Sequence, residues 1–346
     1  MGVAVAHRPL MIEPRYAATL AAQFDSLTPE NEMKWGPIHP EPDRFDFAPA
    51  DDLVDFAEAH AMRVKGHALV WHRQLPAWVD PLPPARLRAA MAEHIGAVVD
   101  RYRGRAVAWD VVNEAVADAG GLLRDTVFTD RLGAGYIAEA FRIAHEADPD
   151  GLLFYNDYGA EGLGGKSDRV FALVRGLVAR GVPIHGVGLQ MHLRADDPPP
   201  LGQIRANIRR LAALGLRVAI SEMDVQVRML PGDRPARLAA QRRVYRDVVG
   251  ACVAEPGCHA VTFWGVGDGH SWIDGDAPLL FDESLAPKPA YFGVLDGLQP
   301  GRRDFTPASA PPSTRSSAPV VKDDSSEARK STARETSSIR APRPIG

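Results

Sequence analysis

Short apolar runs rich in β-branched residues alternate with longer amphipathic stretches from residue 2 to residue 265, and no other feature constrains the fold of this chain as tightly. Bounded by Gly, Pro and Asn, the runs fall at 2–6, 24–28, 63–70, 106–112, 151–156, 186–190, 216–221 and 259–265, which predicts eight strands. Helical patterns fill the intervals at 14–23, 50–60, 84–102, 129–146, 166–180, 201–214 and 234–254. Continuous apolar strands are buried on both faces, and their regular alternation with helices predicts an α/β fold, a (β/α)8 TIM barrel. A doubly wound open sheet would call for a glycine-rich phosphate turn after its first strand, and Val5-Ala6-His7-Arg8-Pro9 is not one.

With 346 residues, 45% of them apolar and 24% charged, the chain has ample material for one large core, expected as a single domain over residues 1–300. No apolar run approaches the roughly 18 residues a spanning helix needs, so no membrane association is expected. The net charge of −4 argues against nucleic acid as a ligand. Residues 301–346 are rich in Ser, Pro, Arg and Ala with Phe305 as their one aromatic, which predicts a disordered tail.

The strand ends carry the chemistry. Glu114 follows Trp109-Asp110-Val111-Val112-Asn113, and Glu222 follows Val218-Ala219-Ile220-Ser221. A carboxylate at the end of a buried strand is partly desolvated and rigidly held, and two of them can face one substrate as acid and nucleophile. Other strand ends bring Glu30, Asn31 and Lys34, then His67, Trp71 and Gln74, then Tyr158, then Gln190 and His192, and finally Trp264 and Trp272. Indole faces cover the C–H faces of a pyranose while amides and charged groups bond its hydroxyls, so this mixture suits a sugar site.

These segments resemble the endo-1,4-β-xylanases of glycoside hydrolase family ten. The resemblance covers nearly all of residues 2–298 and rests on Glu30-Asn31-Glu32-Met33-Lys34-Trp35, Gly66-His67 through Trp71-His72, Asp110-Val111-Val112-Asn113-Glu114 and Ser221-Glu222-Met223-Asp224, in family order. It implies retaining hydrolysis of internal β-1,4-xylosidic bonds of xylan by a monomer that needs no cofactor and no metal. Glu114 is then the general acid/base, Glu222 the nucleophile, and Asn113 the partner of the substrate 2-hydroxyl. His192 and Asp224 orient the nucleophile. Glu30, Asn31, Lys34, His67, Trp71, Gln74, Tyr158, Gln190, Trp264 and Trp272 bind sugar, whereas Trp35, Trp78, Trp109 and His72 are expected to pack or support.

Gly159, Gly267 and Ile273 depart from the family pattern and bear on subsite affinity and on xylan-over-glucan preference. Cys252 and Cys258 stand where many members carry a disulfide, and a polymeric substrate is met outside the cell. Both point to an extracellular enzyme; no signal peptide is visible, yet the chain begins almost on its first strand, so a missed upstream start is expected.

Three other readings compete. A β-1,4-glucanase or cellobiosidase would use the same site. A metal-dependent barrel hydrolase built on His67, His72, His192 and Asp224 lacks a His-x-His on the first strand and a His-Glu-x-x-His helix. A non-catalytic sugar-binding barrel predicts loss of one glutamate, and both are present.

Overall fold

The computed structural model describes residues 1–299, so the tail expected at 301–346 lies outside the described residues. Nine strands are present: β1 (Gly2–Val5), β2 (Ser26–Pro29), β3 (Arg63–Val70), β4 (Ala106–Asn113), β5 (Leu152–Asp157), β6 (Gly186–Leu189), β7 (His192–Arg194), β8 (Arg217–Gln226) and β9 (Cys258–Phe263). Strands β1 to β6 pair in sequence order, β6 pairs with β8, β8 with β9, and β9 returns to β1, every pairing parallel. The result is the expected closed eight-stranded barrel with helices between its strands. Closure leaves no open sheet edge and collects all strand C-termini at one mouth.

The barrel wall is apolar because both its faces are covered. Val3, Ala4 and Val5 of β1, and Val218 and Ile220 of β8, are completely buried. Each fully buried aliphatic side chain contributes about 1.5–3 kcal/mol. The extra strand β7 is three residues long and pairs with the far end of β8, His192 opposite Asp224. So short a segment carries no apolar period, which is why only eight strands are expected from the sequence.

Several helical expectations need correction, beginning with the short helices His7–Ile12 and Trp35–Ile38, where none is expected. The stretch 129–146 is two helices, Val127–Leu132 and Gly135–Ala147, broken at Gly133, whose φ of 67° lies in the left-handed region. A further helix, Pro289–Leu298, follows β9 and completes the outer ring, although no helix is expected there. Gly293 and Gly297 disguise it as a turn. They are needed for close approach, since a Cβ at Gly297 would lie 2.6 Å from Arg246 O on the neighbouring Arg234–Ala254 helix.

Cys252, near the end of the Arg234–Ala254 helix, and Cys258, at the start of β9, form a disulfide. Among the described residues no helix is long and apolar enough to cross a membrane.

Candidate active site

Glu114 is the first residue beyond β4 and has a φ of 57°, a left-handed conformation that costs a non-glycine residue about 1–3 kcal/mol. Residues on β5 and just beyond β3 and β6 hold it there. Its backbone N–H donates to Asn156 O at 2.8 Å, and its carboxylate accepts from Trp71 Nε1 at 2.8 Å and from Gln190 Nε2 at 3.1 Å. Gln74 and Met191, which flank these donors' segments, also have positive φ, at 51° and 64°.

Glu222 lies inside β8 rather than at its end, because the strand runs on to Gln226. The β8–β9 register shifts between Ile220 and Met223, and such an irregularity re-aims side chains. Glu222 Oε1 accepts from Asn156 Nδ2 at 2.6 Å, and Oε2 lies 3.1 Å from His192 Nε2. His192 Nδ1 is 2.8 Å from Asp224 Oδ2, which also accepts from Trp272 Nε1 at 2.9 Å. On the opposite flank, His67 Nδ1 is 3.9 Å from Glu222 Oε1 and 2.9 Å from Asp110 Oδ2.

Burial alone would push the Glu222 carboxyl upward. The hydrogen bond from His192, the proximity of His67 and His192, and the Asn156 donor outweigh it and hold the group down to about 2. Burial would likewise depress His192, but Asp224 and Glu222 keep it well above its ordinary value. Both His192 ring nitrogens face carboxylate oxygens, which favours the imidazolium form that donates one N–H to each. Glu222 stays ionised.

The two glutamates belong to one network. Gln190 Nε2 reaches Asn113 Oδ1 at 3.3 Å as well as Glu114, and Asn156 Nδ2 reaches the same Asn113 oxygen at 2.9 Å as well as Glu222. Asn113 thus spends its carbonyl on the protein, and its NH2 end makes no hydrogen bond to the described residues. Residues 1–297 match the profile of glycosyl hydrolase family 10.

The chain belongs to glycosyl hydrolase family 10.

An endo-1,4-β-xylanase B of Thermotoga neapolitana is 40% identical over 294 residues, covering 82% of this chain and 84% of the relative. A crystal structure of xylanase 10B from Thermotoga petrophila RKU-1 in complex with xylobiose superposes with a TM-score of 0.82 at 39% identity, covering 86% of this chain and 92% of the other. An intracellular xylanase from Thermoanaerobacterium saccharolyticum superposes with a TM-score of 0.80 at 36% identity, covering 85% and 94%.

In this family 10 chain the remaining expected residues gather around the two carboxylates. Asn31 Oδ1 accepts from Lys34 Nζ at 3.0 Å and from Gln74 Nε2 at 3.2 Å, and Lys34 Nζ sits 4.9 Å above the Trp71 ring. Burial pushes the Glu30 carboxyl up to about 7 against the pull of Lys34. Trp264 meets the rings of both His67 and His192 edge-on, at 5.0 and 6.3 Å. Trp272 is half exposed, its ring 5.1 Å from His192. Tyr158 donates to Asp118 Oδ2 at 2.7 Å on the Glu114 side.

Of the four packing residues, Trp35 and Trp109 are buried, with Trp35 stacked 4.2 Å from His94 and 6.3 Å from Trp78. His72 lies edge-on to Trp71 at 6.0 Å.

Asn156 and Ser221 join this hydrogen-bond network although the sequence expectations give them no role. Ser221 Oγ donates to Asn156 Oδ1 at 2.6 Å, which fixes the amide so that its NH2 faces Asn113 and Glu222. The available signal was position, because Asn156 closes an expected strand and Asn113 directly follows one. Arg124, whose Nε donates to Glu114 O at 3.2 Å, is a further omission. No group of three or more His, Cys, Asp and Glu residues is arranged to hold a metal among the described residues. A separate cavity of about 650 Å³, lined by three arginines and four carboxylates between the segments after β8 and β9, includes neither glutamate.

Proposed function

We propose that this family 10 protein is a retaining endo-1,4-β-xylanase in which Glu222 is the nucleophile and Glu114 the general acid and base. One observation carries the assignment: two carboxylates share a network, but only Glu222 is clamped by an imidazolium and an amide that favour its charged form. Carboxyl groups in unlike environments take unlike roles.

Glu222 attacks the anomeric carbon as the bond to the leaving oxygen breaks, and Glu114 gives its proton to that oxygen. Water then attacks the same carbon, Glu222 departs, and the water proton passes to Glu114. Two displacements at one carbon retain its configuration, and the carboxyl separation such a mechanism uses is about 5–5.5 Å. The free NH2 of Asn113 is placed to bond the sugar 2-hydroxyl, while Trp71, Trp264, Trp272 and Tyr158 supply aromatic surface for the chain of sugars. The xylobiose in the Thermotoga petrophila relative supports xylan as the polymer.

Proton NMR of xylo-oligosaccharide hydrolysis tests the reading. The β-anomer should appear first, and reducing ends should form from xylan much faster than from carboxymethyl-cellulose. First appearance of the α-anomer, or faster cleavage of the cellulose derivative, would overturn it.

We further infer that the enzyme works outside the cell as a monomer. A polymer is met there, and the Cys252–Cys258 disulfide suits an oxidising compartment. Recovery of the protein and its xylanase activity from lysed cells, with neither in the culture medium, would overturn the first part, and elution at twice the mass of one chain the second.

A further inference from the structure

The segment leaving β4 doubles back on itself. Val116 bridges Leu123, and Arg124 N–H donates to Ala115 O at 2.8 Å, which returns Arg124 to the base of the loop beside Glu114. Its guanidinium then makes an unusual set of contacts. Nε donates to Glu114 O at 3.2 Å, and Nη2 donates to Val116 O at 3.5 Å and to Tyr158 Oη at 2.9 Å. Both Nη atoms reach Asp118, at 3.1 and 3.2 Å.

Asp118 and Tyr158 are braced in turn. Lys166 Nζ is 2.7 Å from Asp118 Oδ1, 3.1 Å from Asp157 Oδ1 and 3.3 Å above the Tyr158 ring. The left-handed Glu114 peptide is thereby held at both ends, its N–H by Asn156 O of β5 and its C=O by Arg124.

We propose that Arg124 is a positioning residue that fixes the reach of the Glu114 carboxyl and couples it to the Tyr158 ring. A guanidinium does this where an ammonium cannot, because its planar fork serves a backbone carbonyl, a phenol and a carboxylate at once. Without it the Glu114 carbonyl loses its side-chain donor, and the left-handed turn is free to relax away from the geometry that points the carboxyl at Trp71 and Gln190. Proton transfer depends steeply on such reach, so the loss falls on bonds that need a proton to break. The inference rests on Glu114 being the acid.

The test compares wild type with Arg124→Gln and Arg124→Lys on aryl xylobiosides of graded phenol acidity and on unactivated xylotetraose, below the measured melting temperature of each variant. For Arg124→Gln, kcat/KM should fall on the order of tenfold to a hundredfold for xylotetraose and poor leaving groups, yet stay within about twofold for the dinitrophenyl substrate. Arg124→Lys should recover part of the loss by restoring one donor. A merely structural role would lower every substrate alike, and equal losses across the series, or none, would overturn the proposal. Glu114→Ala serves as the reference. If that variant lacks leaving-group dependence, the acid assignment itself has failed rather than the role of Arg124.

Discussion

Asn156 Nδ2 stands 2.6 Å from Glu222 Oε1 and 2.9 Å from Asn113 Oδ1, so one amide of β5 is shared between the ionised carboxylate of β8 and the amide beside Glu114 on β4. Asn156→Ala removes a donor to a buried charge, an interaction worth about 1.5–3 kcal/mol. Because that donor lowers the Glu222 carboxyl, its loss should raise it. Activity requires the charged form, so the acid limb of the kcat/KM profile should move to higher pH and turnover should drop roughly tenfold to a hundredfold. A pH–rate series on xylotetraose gives the answer, and an unmoved acid limb would count against the shared-donor account.

The two glutamates should fail differently. Glu222→Gln keeps the shape and loses the nucleophile, so turnover should fall by several orders of magnitude for all leaving groups. Glu114→Ala should lose activity on xylan but still release an acidic phenol in a burst, with slow turnover afterwards. Added azide should then accelerate turnover and yield the β-glycosyl azide, since an anion needs no base to attack the glycosyl-enzyme. Equal losses on xylan and on the activated glycoside, without azide rescue, would reverse the roles.

Glu222 also links folding to pH. Its folded-state value is held near 2 against an ordinary 4.5, so its contribution is present above 4.5 and is lost as pH falls from there through 2. The size is on the order of 3 kcal/mol for a shift of that magnitude. His192 acts in the opposite sense. Its raised value adds stability that is complete below its ordinary 6.5 and declines as pH rises through the folded-state value. Urea midpoints measured from pH 2 to 5 should fall with acidification, and Glu222→Gln should flatten that dependence.

The Cys252–Cys258 bridge closes a short loop, worth about 2 kcal/mol in the chain-entropy model. Reduction, or Cys252→Ser with Cys258→Ser, should lower the melting temperature by roughly 3 °C while leaving turnover intact. Thermal melts with and without reductant check this. An unchanged melt would mean the bridge does not constrain the unfolded chain.

Much of this protein is local pattern and therefore legible along the chain. The eight barrel strands repeat apolar residues because both of their faces are buried, and that composition survives without knowledge of any partner. Glu114, Glu222 and Asn113 announce themselves by following such runs and Gln190 by closing one, since the barrel exposes strand ends at one mouth. The Pro289–Leu298 helix escapes for a local reason as well: Gly293 and Gly297 read as turn signals until the neighbouring Arg234–Ala254 helix shows why no side chain fits there.

Partnership is another matter. That Asn156 bonds Glu222, that Arg124 grips the Glu114 carbonyl, and that His192 stands between two carboxylates that favour its charged form are relations between side chains brought together from separate elements. No period or spacing records them, because hydrogen bonding and desolvation depend on distances that exist only once the barrel closes. The amino-acid sequence by itself determined the barrel, its chemical mouth and the two carboxylates; the tertiary structure alone decided which of those carboxylates is clamped as an anion and which hangs from a strained, arginine-held turn, since charge and reach are set by neighbours distant along the chain.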